Sequence, residues 1–111
     1  MNPDVETIEL SISESQKYID KMESIFKLSK NKDFNAVIEK GYFEEEASRL
    51  VLLKADPSMQ SESDQNMINK SIDSIGYFRQ YLRSVIQMGR MMERSIEDDK
   101  RTREELLAEG A

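Results

Sequence analysis

Ile68-Asn-Lys-Ser-Ile-Asp-Ser-Ile-Gly-Tyr-Phe-Arg-Gln-Tyr-Leu-Arg-Ser-Val-Ile-Gln-Met-Gly-Arg-Met-Met-Glu-Arg-Ser-Ile96 is the stretch on which the reading of this chain turns. Stepping through it by seven gives Ile68, Ile75, Leu82, Gly89 and Ile96. A second row holds Phe78, Val85 and Met92, and Ile72 and Ile86 widen the stripe between the rows. Apolar residues at these intervals line one face of a helix that packs against other helices. No proline interrupts residues 61–109, so the spacing predicts one helix over 63–109, about 70 Å long at 1.5 Å per residue. The same ten residues form the seam expected to meet a second copy of the chain or another partner.

Working outward, the seam turns polar after Ile96. Asp99 and Arg103 stand where apolar residues would recur, and Leu106 and Leu107 revive the stripe only briefly. Gly76 and Gly89 interrupt the helix interior, each at a cost of about 1 kcal/mol relative to alanine. Gly89 lies on the seam, where a missing side chain marks either a bend or a close approach of another segment. Glu97 to Arg101 and Asp99 to Arg103 are spaced for pairing across one helical turn.

Upstream, Asp56-Pro57 stops a helix, since the residue before proline avoids the α region. Residues 56–62 read as a loop, and Ser61 or Ser63 as the cap of the long helix. Glu44, Glu45 and Glu46 open a helix over 42–55 whose inward side chains are Ala47, Leu50, Val51 and Leu53. Acidic residues suit a helix N-terminus because they oppose its positive dipole end. A short helix over 33–40 is expected from Asp33 as cap, with Phe34, Val37 and Ile38 on its apolar side. Gly41 fits its end as a left-handed residue. Ser13 and Gln16 have the spacing of a capping box for a helix over 13–31 that carries Tyr18, Ile19, Met22, Ile25 and Phe26. Before it, Ile8, Leu10 and Ile12 alternate with Thr7, Glu9 and Ser11, which reads as an extended arm over 1–12, the alternative being a first helix that starts early.

The expected fold is therefore all-α. It is a helical hairpin or bundle in a single domain over 1–111, with one long C-terminal helix antiparallel to two or three shorter ones. Two or three helices leave much of the stripe covered on one side only, so a homodimer or higher oligomer is expected.

The 111 residues carry a formal charge of −6, with no cysteine and no histidine. That composition removes thiol chemistry and the commonest general base and metal ligand. It also argues against nucleic acid and anionic membrane surfaces as partners. No apolar run is long enough to span a bilayer, and the first residues lack the pattern of a signal peptide, so a cytoplasmic location is expected. No phosphate loop, nucleophile elbow or metal-ligand spacing is present. The reading is of a chain that is not an enzyme and takes no cofactor. Three patches retain a binding reading. Met88, Met91 and Met92 surround Gly89, more simply as core filler. Tyr77, Phe78, Arg79, Tyr81 and Arg83 interleave aromatics and arginines, suiting a protein-binding face built on Tyr77 and Tyr81. Glu44, Glu45 and Glu46 form an acidic partner-binding candidate.

Two stretches carry a resemblance. They are Phe34-Asn-Ala-Val-Ile-Glu-Lys-Gly-Tyr-Phe-Glu-Glu-Glu-Ala-Ser-Arg-Leu-Val-Leu-Leu-Lys-Ala-Asp-Pro-Ser-Met-Gln60 and Ile75-Gly-Tyr-Phe-Arg-Gln-Tyr-Leu-Arg-Ser-Val-Ile-Gln-Met-Gly89. Together they resemble a family, mostly uncharacterised, of short acidic all-helical proteins of tailed bacteriophages. The resemblance extends from the first helix to the end. It implies a viral origin, a host-cell or virion location, and other phage or host proteins as partners. No catalytic motif comes with it, so no functional residue is carried over. The function expected is virion assembly through helix-mediated contacts, as a scaffold, connector or internal virion component. The alternative expected is an acidic inhibitor of a host nucleic-acid enzyme, either a defence nuclease or the transcription machinery.

Overall fold

The computed structural model describes residues 3–110, which are helical almost throughout; no strand occurs among them. The chain divides into two compact units. The first comprises Met1–Phe26 and Ser84–Ala111, and the second Lys27–Arg83.

Helix α1 runs Pro3–Ser29, so the expected extended arm is helical from Pro3 onward, its first two residues lying outside the described ones, and no helix starts at Ser13. Val5, Ile8, Ile12, Ser15, Ile19, Met22 and Phe26 follow one another at steps of three and four, a helical row that outweighs the short alternation around Leu10. Val5, Ser15, Ile19 and Met22 are buried, whereas Leu10 is 63% exposed. Pro3 takes the first helical position, and Asp4 and Glu6 lie in the first turn, where carboxylates offset the dipole.

In the first unit, α1 meets the last part of α4, the long helix Glu62–Gly110. The Ser11 hydroxyl donates to Asp99 Oδ2 at 2.9 Å, and Met22 packs against Gly89. Partner numbers fall as α1 numbers rise, so the helices are antiparallel. Their rows mirror each other: Val85, Gly89, Met92, Ile96, Asp99, Arg103 and Leu106 step by four and three against the α1 row. Ile19, Met22 and Ile96 form a buried cluster, with Ile12, Phe26, Ile86 and Met92 packed onto it. The polar end of the seam is thus engaged, with Asp99 accepting from Ser11. Arg101 pairs with Asp98 at 3.1 Å, three residues away and not the four expected with Glu97.

In the second unit, the short helix α2 (Lys32–Phe34) passes directly into a π-helix, Asn35–Glu46, and that into α3, Ala47–Lys54. The expected stop at Gly41 is absent, and no described residue has positive φ. The apolar spacing explains the wide turns. Phe34, Ile38, Tyr42 or Phe43, Ala47 and Leu50 step by four and five before the last interval. Leu50 lies sixteen residues after Phe34, so an α-helix at 100° per residue would turn it about 160° away, onto the opposite face. Turns bonded five residues back return both ends of the row to one side. A Cβ at Gly41 would lie 2.9 Å from the Ala36 carbonyl oxygen, five residues earlier. Val37 and Val51, expected inward, are 65% and 59% exposed.

Asn31, not Asp33, caps this arm, its side-chain oxygen accepting from the Phe34 amide at 2.9 Å. Asp56 caps a 3₁₀ turn, Pro57–Met59, inside the expected loop. The Gln60 and Gln65 amides both donate to the Lys54 carbonyl, at 2.9 and 3.0 Å, fastening the turn. Ser61 Oγ accepts from the Asp64 amide at 3.1 Å and caps α4, which continues unbroken through Gly76 and Gly89. The buried apolar residues of this unit are Leu50, Ile68 and Ile75, 4%, 1% and 6% exposed.

Candidate functional site

The seam expected to meet a partner is largely covered by the chain's own first arm. In the second unit Ile68 and Ile75 are buried, Ile72 and Leu82 half-buried, and Phe78 sits at the rim, 36% exposed. In the first unit Val85, Gly89 and Ile96 are buried, and Ile86 and Met92 half-buried. A residue sealed by its own chain presents no surface to a second one. Gly89 resolves as a close approach and not a bend: a Cβ there would meet Met22 Cβ at 2.5 Å and its sulfur at 2.7 Å. Of the three methionines around it, Met92 packs on the core, while Met88 and Met91 are exposed.

The accessible chemistry of the second unit lies beside the seam. A groove of about 510 Å³ runs between the first arm and α4, lined by Val37, Gly41, Tyr42, Glu46 and Leu50 opposite Ser71, Ser74 and Ile75. Ser71 and Ser74 also border a shallow concavity along α4 that includes Glu62, Met67 and Lys70, so the two form one trough. The concavity is lined by a single helix and encloses nothing. Tyr42 lies edge-on to Phe78 with ring centroids 6.2 Å apart, and Phe43 approaches Phe78 at 5.5 Å. Such ring pairs are worth about 0.5–1.5 kcal/mol beyond the area they bury. They fix Phe78 at the trough's end, while Tyr77 and Tyr81 beyond it are 68% and 50% exposed.

The acidic trio does not act as one site. Glu44 and Glu45 are exposed, but Glu46 is half-buried and receives hydrogen bonds from the Arg49 guanidinium. Those bonds, with burial opposing and the arginine charge assisting, hold the Glu46 carboxyl below the usual range. Asp56 is lowered in the same sense by the Ser58 hydroxyl and amide, which donate to it at 2.7 and 2.8 Å. In the first unit Glu93 and Glu97 share a surface with Arg90 and Arg94, so acid there is interleaved with base. Among the described residues no group of three acidic side chains is placed to hold a metal ion, and no helix is long and apolar enough to cross a membrane.

Met67, Ser71 and Ser74 were not singled out by sequence reasoning. Their signal was present: Met67, Ser74 and Tyr81 step by seven in a row next to the seam. Two serines on a helix face read as solvated positions until a groove is seen beside them.

No family model, no curated protein and no solved structure matches this chain.

Proposed function

We propose that this chain acts without chemistry of its own, through helix-mediated contacts with other proteins, in the assembly of a tailed-phage virion as a scaffold, connector or internal component. The observation that carries the reading is the trough face of the second unit, where Met67, Tyr77 and Phe78 stand exposed beside the groove between the arms. Exposed aromatics and methionine beside a groove are the usual anchors of a protein interface. The acidic composition and the resemblance to short phage proteins support the same setting. The likeness of the C-terminal stretch is centred on Ile75–Gly89, which includes Tyr77, Phe78 and Tyr81.

The test is co-sedimentation of the purified chain with phage particles and with capsid-protein assemblies. Binding is expected, weakened by Tyr77→Ala and Tyr81→Ala, which remove exposed anchors without touching the buried core. A chain that never sediments with either sinks the assembly role.

A further inference from the structure

We propose that the first arm of the second unit is a two-register element: π-bonding over Asn35–Glu46 turns Leu50 inward, and α-bonding over the same residues turns Leu52 inward instead and takes the groove apart. The inference goes beyond the assembly role and does not depend on it, since it concerns how the groove itself is made.

The first observation is the pair of junctions. The π-helix is entered at Phe34 (φ −58°, ψ −45°) and left at Ala47 (φ −59°, ψ −45°), both with ordinary helical backbone, and neither junction carries a side-chain cap. Exchanging a bond to the fifth residue back for one to the fourth needs no new turn there and breaks no cap. π-bonding is rare and mostly confined to a single turn. Twelve residues of it mark a segment whose bonding is set by the packing of its side chains.

The second observation is a competing apolar row. Leu52 follows Phe34 by eighteen residues, five whole turns of an α-helix at about 100° per residue. α-bonding throughout brings Leu52 onto the side of Phe34 and carries Leu50 about 160° off it. In the π register Leu50 is 4% exposed, and Leu52, at 74%, is the most exposed large apolar side chain among the described residues. The sequence thus holds an apolar anchor for either bonding pattern, and the two lie too far apart around α3 to be inward together.

The third observation is what decides between them. Glu45 and Arg49 fall within about 60° of Phe34 in the α row. Turning two charges inward costs desolvation, which favours the π register in the chain alone. There Arg49 pairs with Glu46, three residues back. The α register offers it Glu45, four residues back, at a spacing that also suits an ion pair. Leu52 for Leu50 and Glu45 for Glu46 are therefore one exchange. The groove goes with it, because Val37, Gly41, Tyr42, Glu46 and Leu50 form one wall only while the turns are wide. The end that turns is α3, which is tied to the loop after it by exposed hydrogen bonds on the Lys54 carbonyl.

Thiol labelling of the full chain tests this. The chain has no cysteine, so Leu50→Cys or Leu52→Cys introduces its only thiol, whose rate of reaction with a maleimide reports which side of the arm is covered. In the otherwise unaltered chain the thiol at position 52 is expected to react at least about tenfold faster than the thiol at position 50. Glu45→Leu with Arg49→Leu clears the charges from the α row and is expected to invert that order. A folded variant that keeps the original order overturns the proposal. Fast labelling at both positions means that the arm has come loose, and Gly41→Ala, which favours α-bonding without touching the charges, then decides. Slower labelling at 52 together with faster labelling at 50 in that variant supports the two registers, and any other outcome overturns them.

Discussion

Glycine has a different meaning at three helical positions here, and the difference is set by what a methyl group would meet. At Gly89 it would be driven into Met22, so Gly89→Ala is expected to cost about 1–3 kcal/mol as an overpacked core. At Gly76 nothing lies within 4 Å, so Gly76→Ala should stabilise by about 0.5–1 kcal/mol through helix propensity alone. Urea denaturation of the two variants checks the opposite signs. From sequence the two glycines look alike. Only Gly89 stands on the seam, and the seam position gave both a bend and a close approach as readings. What chose between them was the identity of the facing residue, Met22, which no local pattern supplies. Titration is the other residue-scale property. Glu46 and Asp56 are held below their ordinary values of 4.5 and 3.8 by bonds that exist only in the folded chain. Their contribution is present above those ordinary values and is lost as pH falls through the depressed folded ones. Asp56 is exposed and Glu46 only half-buried at the surface, so the effect is small and, for Glu46, screened by salt. Thermal melts should fall on acidification below about pH 4.5, and the fall should be shallower in Glu46→Gln/Asp56→Asn.

At the scale of elements, the long helix and its caps were readable, and the first arm only in part. The α4 stripe repeats without a flaw through Ile96, and Ser61 and the Asp56-Pro57 stop use local chemistry that a sequence states outright. In α1 the row is broken by Ser15, a small polar residue that is nevertheless buried, and Leu10 supplies a false alternation. The π-helix was illegible for a more general reason. A helical reading assumes 3.6 residues per turn, and the apolar row from Phe34 to Leu50 obeys a longer one. Under the usual period that row splits into two short helices with Gly41 between them, which is the division expected above. The trough inherits the same difficulty, since Val37, Tyr42 and Glu46 share one side only when the turns are wide. Gly41→Ala tests this directly. Its methyl group would crowd the Ala36 carbonyl oxygen at 2.9 Å, so the substitution should drive residues 35–46 toward α bonding. Changed Cα chemical shifts and altered amide hydrogen exchange confined to that segment are the expected readouts. Unchanged shifts in a folded variant would mean that the backbone oxygen moves aside.

For the molecule as a whole, the two units differ in how far apart in the chain their halves lie. The second is continuous, closed by one tight turn at Asp56–Ser61, with partners such as Lys54 and Gln65 eleven residues apart. The first joins distant segments: the hydroxyl of Ser11 finds Asp99 across a separation of eighty-eight. Closing a long loop costs more entropy before any contact rewards it, so the second unit should form earlier. Pulse-labelling hydrogen exchange during refolding is expected to protect amides of α3 and of residues 64–80 before those of residues 5–22 and 88–106. Simultaneous protection would argue that the chain folds as one cooperative piece. The mirrored rows of α1 and α4 then have a consequence during synthesis. The apolar stripe from Val5 to Phe26 leaves the ribosome before its partner row and waits through the translation of the 58 residues 27–84 before that row begins. For that interval it is the segment most open to chaperones and to the same stripe on neighbouring nascent chains.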